Sequence, residues 1–517
     1  MNHMNSDPNT SPAHLPASQL SRRELLQRAG CGFGHLALLS MLADEAGLRT
    51  ATAGESSNPL SLKTPHIAPK AKHVIFIFLH GGLSQIESFD PKPELDRLDG
   101  KPFPGEKPLQ FAGTGNLMKS MWEFDRYGQS GLPVSRLFPH IGSTIDDCCV
   151  VRSMKSERVD HGGAALQLHT GSALFPRPSM GSWILYGLGT ENQDLPGFVT
   201  IKPTESQGGA QNYGSAFLPA AYQGTRLGST VASMKNVRFE NIAPAIPQHR
   251  LQRLQLDLIQ SMNRRQLEHT DDSRLEARIE AYELAFRMQA TGPEVFDFSD
   301  ESQSTLELYG IGDKPTVELS SDLASMQKFA KFGRKLDANP TDEFGRQCLL
   351  ARRFAERGVR FVQCSHTGTS VPKWDQHSSL RILHPANAVE VDKPIAGLIA
   401  DLKQRGMLDE TLVVIGTEFG RTPVTQGKDM EDIGRDHNPY GYTMLLAGGG
   451  IQGGMAYGAT DEFGYFAREN IVTMYDLHAT ILHLLGLDHE KLVFPHAGLD
   501  VRLTGVNPCR VVHDIIA

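Results

Sequence analysis

Residues 411–450 read TLVVIGTEFGRTPVTQGKDMEDIGRDHNPYGYTMLLAGGG. Two short apolar runs, Leu412–Gly416 and Thr443–Ala447, bracket a polar insert. Apolar runs this short, bounded by glycine, predict buried strands of a parallel sheet covered on both faces. Thr417, Glu418, Phe419, Gly420 and Arg421 follow the first strand, and Arg435, Asp436, His437 and Asn438 precede the second. In open α/β sheets ligands bind where strands end and loops begin. The charged and imidazole groups gathered there are therefore candidates for a site.

Outward from this stretch the chain alternates strand and helix signals. His73–Leu79 (HVIFIFL) predicts a buried strand that runs into His80-Gly81-Gly82. This turn lacks the GxGxxG spacing of a dinucleotide site. Cys148–Val151, Phe198–Ile201 and Val359–Cys364 predict further strands, and His161–Gly171 a loop entering a short helix that stops at Gly171. Helical periodicity covers residues 248–289, Thr341–Arg357, Val389–Arg405 and Ile471–Leu485. The alternation predicts an α/β fold with a mostly parallel central sheet and helices on both faces. Residues 205–340, which open with a Gly- and Ser-rich loop, read as an insertion over one face.

Composition sets the bounds. The 517 residues are 40% hydrophobic and 21% charged, ordinary for a globular chain of one large domain or two smaller ones. A net charge of −8 with no Lys/Arg-rich tract leaves no footprint for nucleic acid. Near the N-terminus, Arg22-Arg23 precede a modestly apolar run, Ala29–Ala43, too short to span a bilayer. This pattern resembles a twin-arginine export signal, with Ala51-Thr52-Ala53 as a small-x-small cleavage site; the alternative is an amphipathic N-terminal helix. The expected organisation is a signal over residues 1–53, a linker over 54–72 and a single domain over 73–517. The expected location is the periplasm or the cell exterior, with no membrane span in the mature form. Once Cys31 leaves with the signal, the five remaining cysteines have no CxxC spacing, which argues against a disulfide framework or a structural zinc site.

Chemistry concentrates in two places. Trp374-Asp375-Gln376-His377 lies beyond the 359–364 strand, and Asp436-His437 just before the 443–447 strand. Two imidazoles and a carboxylate at strand ends form a common ligand set for zinc, manganese or iron. Asp375 and His377 are two apart, which in extended backbone points both to one side. The plainer alternative is hydrogen-bonded loop histidines, and twenty histidines make chance pairs common. Glu418 and Arg421 read as a further ligand and an anion binder, or as an ion pair bracing the turn. An arginine fork suits a sulfate or phosphate oxygen pair, and Arg152 or Arg435 offers the same fork. His80 is a ligand or a turn-bracing donor. Of His478 and His483, five apart on one helix, His483 reads as structural and His478 stays open, while Asp90 reads as a turn cap.

Several motifs in order carry a resemblance: FLHGGLSQIESFDPKP, HGGAALQLHTG, WDQH, GTEFGRTP, GRDHNPYGYTMLLAGGG and YDLHATILHLLGL. Together with the twin-arginine pattern they resemble the exported bacterial family called domain of unknown function 1501, within the alkaline phosphatase/sulfatase superfamily. The resemblance implies an alkaline phosphatase-like α/β fold presenting two adjacent metal sites, with a divalent metal (zinc, manganese, calcium or iron). By position, Asp375, His377 and His437 resemble the ligands of one site, and Glu418 and His80 fall where acids of the other would lie. His161 stands where the nucleophile belongs, and Phe419 where a histidine or asparagine would follow. These departures turn the expectation from a covalent Ser, Thr or formylglycine intermediate toward attack by metal-bound water, with a phosphohistidine at His161 as the alternative. The implied partner is a small-molecule or polysaccharide ester of sulfate or phosphate, steadied by Arg421. The competing expectations are a degenerate glycan- or protein-binding member of the fold and a redox or oxygenase role for bound iron.

Overall fold

Side chains along a strand alternate between its two faces, so a strand apolar at every position must be covered on both. HVIFIFL meets that condition. The computed structural model describes residues 58–106, 108, 115–239, 249–267, 273–313, 340–369, 371–426 and 433–517. The central sheet is built from β1 (His73–Leu79), β2 (Cys148–Lys155), β3 (Phe198–Ile201), β4 (Thr225–Leu227), β5 (Phe361–His366) and β6 (Thr411–Gly416). A hairpin follows, β7 (Gly420–Gln426) and β8 (Gly434–Asn438), and then three more sheet strands, β9 (Tyr442–Ala447), β10 (Met455–Tyr457) and β11 (Val472–Thr473). The main helices are α1 (His161–Thr170), α2 (Met180–Leu188), α3 (His249–Leu267), α4 (Ser273–Val295), α5 (Pro340–Glu356), α6 (Leu380–Gln404) and α7 (Met474–Leu484).

Ile75, Ile77 and Leu79 of β1 enter one core cluster, with Leu349 and Phe354 of α5 and Val391 and Ile395 of α6. Val74, Phe76 and Phe78 enter a second cluster with Trp183 of α2 and Leu477 and Ile481 of α7. Helices thus cover both faces, as expected. Burying each of these side chains stabilises the fold by about 1.5–3 kcal/mol.

The strand order is β10-β2-β9-β6-β1-β5-β3-β4, with β11 beside β2. β1 runs parallel to β5 and β6, and β3 parallel to β5 and β4. β10 and β11 run parallel to β2. β9 is antiparallel to both of its neighbours, β6 and β2, so the expected parallel orientation of the 443–447 strand is corrected. Parallel neighbours need a crossover connection, usually a helix. Between β6 and β9 the described residues form the β7–β8 hairpin and no helix, so the chain returns along the same edge of the sheet it left. The residues before β9 therefore sit beside the residues after β1, β5 and β6.

Other boundaries also move. Thr225–Leu227, inside the stretch read as an insertion, pairs with β3 as an edge strand of the sheet. The helix expected from Val389 begins at Leu380 and runs through Pro385 and Pro394. The signal expected over 1–53 lies outside the described residues. The stretch read as a linker is described from residue 58 and is strapped to the domain: the Lys63, Ile67 and Ala71 amides donate to the carbonyls of Leu188 (3.0 Å), Gly486 (3.0 Å) and Leu484 (2.9 Å). Residues 58–517 form one compact unit. Among the described residues no helix is long and apolar enough to cross a membrane.

Candidate metal centre

Four segments meet at the edge of the sheet where β1, β5 and β6 end. After β1, Gly81 takes φ +120°, and a Cβ there would stand 2.5 Å from the Asp375 amide and 2.8 Å from the Trp374 amide. Only glycine allows the loop bearing Asp375 to lie this close to the backbone of residues 80 and 81. The Trp374 amide then donates to the His80 carbonyl at 3.1 Å. In the hairpin, His437 of β8 stands opposite Arg421 of β7. At the start of α1, Asp160 caps the helix by accepting from the Gly163 amide at 2.7 Å, which places His161 in the first turn.

These segments bring three imidazoles onto one carboxylate oxygen. Asp375 Oδ1 lies 3.1 Å from His161 Nε2, 2.9 Å from His377 Nε2 and 3.3 Å from His437 Nε2. The opposite nitrogen of each ring faces an oxygen acceptor. His161 Nδ1 is 2.6 Å from Glu418 Oε1, His437 Nδ1 is 2.5 Å from the Val159 carbonyl, and His377 Nδ1 is 2.5 Å from Gln426 Oε1. A carboxylate or carbonyl oxygen only accepts. When a cation takes the place of a proton at Nε2, each ring proton therefore sits on Nδ1, facing these oxygens, and each Nε2 turns a lone pair toward the cation beside Asp375. Three lone pairs and a carboxylate facing one point repel unless a positive charge lies among them. The four donor atoms all lie within 4.8 Å of one another. An Nδ1–H fixed on an oxygen is also how metal-ligating histidines are usually oriented. The residues therefore fit a cation. A set of three nitrogens and one oxygen suits zinc, manganese or iron; calcium, which takes six to eight oxygens, does not fit it.

A second group, His80, His161 and Glu418, lies directly behind the first and shares His161 with it. Glu418 is fully buried, and its oxygens accept the Gly81 amide at 3.0 and 3.1 Å. His80 Nδ1 bonds Thr367 Oγ1 at 2.8 Å, while its buried Nε2 has no hydrogen-bond partner and lies 3.9 Å from Glu418 Oε1. The two groups differ in access. The side chains of Asp375 and His377 are 15% and 29% exposed, whereas those of His80 and Glu418 are wholly buried. The first group opens to solvent and the second is sealed behind it.

The electrostatics follow from that layout. Burial disfavours charge on Asp375, yet His161, His377, His437 and Arg421 outweigh it and hold the carboxyl far below the usual range. Burial would likewise raise Glu418, but His80 and His161 bring it down to about 2. Burial, aided by the charge of Arg421 and the neighbouring imidazoles, pushes His437 down to about 4, and burial does the same to His80. His161 moves the other way: burial opposes its charge, but Asp375 and Glu418 on its two sides raise it.

Asp375, His377, His437 and His161 come together in the open group, and Glu418 and His80 in the sealed one. Of its two readings, anion binder or brace of the turn, Arg421 follows the second in its contacts, with Asp375 as its acid partner. It is 1% exposed, and its guanidinium donates to the carbonyls of Gly81, Gly82 (3.0 Å), Trp374 (3.1 Å) and Arg435 (3.0 Å) and to Asp375 Oδ1 (2.8 Å). A fork committed to that many internal acceptors ties Asp375 to the hairpin and is not presented to an anion. Arg435 is likewise closed by buried Glu87 at 2.8 Å, and Arg152 donates to the Phe89 carbonyl at 2.9 Å. His478 bonds the Leu168 carbonyl at 2.7 Å, which is a structural role, and Asp90 pairs with Lys92 at 2.9 Å. The Phe419 ring packs 4.9 Å from His161 and 4.5 Å from His437 as an apolar wall. Gln426 and Thr367, which fix His377 and His80, were not expected; a lone Gln or Thr has no spacing signal, and a backbone carbonyl such as that of Val159 has none at all.

Solved structures that match the chain include the lipoteichoic acid synthase LtaP from Listeria monocytogenes (11% identity, 83% of this chain and 77% of that one, TM-score 0.35). They also include the PsFucS1 sulfatase from Pseudoalteromonas sp. (11% identity, 81% and 68%, TM-score 0.32). A third is the alkaline phosphatase from the Antarctic bacterium TAB5 (10% identity, 76% and 95%, TM-score 0.27). No curated protein matches the sequence. The family described as "Protein of unknown function (DUF1501)" matches residues 71–516, and the chain belongs to that family.

Proposed function

We propose that this chain is an exported, metal-dependent hydrolase of sulfate or phosphate esters, acting on small molecules or polysaccharides. The observation that carries this reading is the convergence of His161, His377 and His437 Nε2 on Asp375 Oδ1, each ring fixed through Nδ1. When bound, a divalent cation supplies Lewis acidity toward water and toward an ester oxygen. The protein's own groups do the rest. Arg421 fixes Asp375, and Glu418 keeps the His161 proton on Nδ1 so that Nε2 faces the open group. Entry is over His377 and Asp375, the exposed members. His161 serves this reading as a ligand, not as a nucleophile, because both of its nitrogens are engaged.

Export by the twin-arginine route is part of the proposal. Among the described residues five cysteines are free, and Cys148, Cys149, Cys348 and Cys364 are buried. A chain that folds in a reducing compartment before it is moved forms few disulfides. A second reading, a glycan- or protein-binding member without turnover, is favoured by Phe419, whose apolar ring lies against two of the three histidines. Metal analysis of the purified protein followed by a panel of sulfate and phosphate esters separates the two, with His437→Ala as control. Stoichiometric metal and turnover lost in the variant support hydrolysis. Stoichiometric metal without turnover on any ester supports the binding reading.

A further inference from the structure

We propose that Glu390 of α6 sets how tightly the Asp375 group holds a cation, acting through His366 and Trp374 as a positioning residue; this rests on the metal-site reading above. The indole Nε1–H of Trp374 donates to His366 Nδ1 at 3.0 Å. An indole nitrogen can only donate, so His366 Nδ1 is bare and the ring proton sits on Nε2. Nε2 in turn lies 2.8 Å from Glu390 Oε2 and donates to it. The direction of every hydrogen bond in the row Trp374–His366–Glu390 is thereby fixed.

The row ends beside a ligand. Trp374 is fully buried and directly precedes Asp375; its amide is held by the His80 carbonyl at 3.1 Å and its carbonyl by Arg421 at 3.1 Å. Once the indole is anchored, the peptide that carries Asp375 has no freedom to turn. Two more residues of the same helix act on the same loop: Asn387 donates to the Lys373 carbonyl at 2.7 Å, and His384 Nδ1 bonds Gln376 Oε1 at 2.6 Å. Glu390 itself also pairs with Lys373. His384, Asn387 and Glu390, three apart, thus grip positions 373, 374 and 376 on both sides of Asp375. Thr367, the neighbour of His366, fixes His80 at 2.8 Å, so the end of β5 braces both groups.

Removing the acceptor takes away the bond that holds the His366 Nε2–H and lets ring and indole turn together. Loss of a partner bonded directly to a metal ligand typically weakens metal binding about 10–100-fold, and this row reaches the ligand Asp375 through its neighbour Trp374. The test uses the whole protein with Zn²⁺ by chelator competition and Co²⁺ by its visible absorption. Glu390→Leu is expected to weaken Zn²⁺ binding at least tenfold and to shift the Co²⁺ bands, while Glu390→Gln, which keeps an acceptor for His366, restores both. Trp374→Phe, which removes the donor at the other end together with part of the buried indole, is expected to weaken Zn²⁺ binding at least as much as the Leu variant, and the double variant to lose no more than Trp374→Phe alone. Affinity and Co²⁺ spectrum unchanged in Glu390→Leu and Trp374→Phe, with tight binding in the wild type, overturn the role of Glu390 alone. A wild type that binds neither metal, equal to Asp375→Ala, overturns the metal site and this role with it.

Discussion

Glu418 Oε1 lies 2.6 Å from His161 Nδ1, and both groups are buried at the junction of the two clusters. The carboxylate holds one nitrogen of the ring while the other faces Asp375, the arrangement of an acid orienting a metal-ligating histidine. Glu418→Gln therefore keeps the side-chain shape but replaces the charged acceptor with a neutral amide. We expect cation affinity to fall about 10–100-fold, beyond any loss of apo stability from removing the buried charge. Chelator competition and thermal denaturation, measured side by side, check this; equal affinities would show that Glu418 does not orient His161.

Gly81→Ala tests the close approach of the Asp375 loop. The added methyl would meet backbone nitrogens of residues 374 and 375 at a φ of +120°, where L residues are strained. Destabilisation of about 1–3 kcal/mol is expected, together with loss of metal binding, because relief requires the loop to move. Denaturant unfolding and metal titration read the two effects. Retained affinity in a folded Gly81→Ala protein would separate the turn from the site.

Metal binding should be linked to pH through His161. Its proton affinity in the metal-free protein is raised above the ordinary 6.5 by Asp375 and Glu418, against burial. His437 and His80, both at about 4, carry no extra proton near neutrality. Below the His161 pKa a cation must displace a proton, so affinity should rise with pH and level off above that pKa. Calorimetry in buffers of different ionisation heat should find proton release at low pH that fades as pH rises through the raised His161 pKa. Release that grows with pH would contradict the assignment.

A second pH effect belongs to the fold. Asp392 of α6 accepts the His140 and Ile141 amides at 2.9 and 2.8 Å, at the start of the short helix Pro139–Ser143. Burial pushes its carboxyl from 3.8 up to about 7, against the pull of those two amides. The folded state therefore binds this proton more tightly than the unfolded state. Its contribution is complete below about pH 4 and is lost as pH rises to about 7. Asp392→Asn should gain on the wild type over that interval by an amount on the order of a few kcal/mol. Melting temperatures at pH 5 and pH 8 check this; a variant-to-wild-type difference that stays constant with pH would refute it.

Much of the scaffold was legible because it obeys local rules. HVIFIFL is apolar at every position and forms β1 over the expected residues. Gly171, read as a helix stop, ends α1 at φ +69°. The pairing of Asp375 with His377 was visible from their spacing, and their meeting with His437 was expected from the motif order. The direction of β9 was not legible, since apolar runs look alike in either orientation and only the β7–β8 hairpin reverses the chain. That reversal is also what carries His437 to the edge shared with Asp375; a parallel strand would have left it at the opposite edge. The start of α6 was hidden by Pro385 and Pro394, which local rules read as breakers, while the grip of His384, Asn387 and Glu390 on the loop is a tertiary matter. Arg421 was open for a similar reason: an arginine after a strand reads equally as an anion binder and as a brace of the turn until its burial and its five acceptors are known.

The most direct measurement is the metal content of protein purified without chelators, by plasma mass spectrometry, for the wild type and for Asp375→Ala. The account predicts close to one zinc, manganese or iron per wild-type chain and loss of that ion in the variant, with both proteins folded. A folded wild-type protein that carries no ion, and takes none up when offered each of the three, would contradict it.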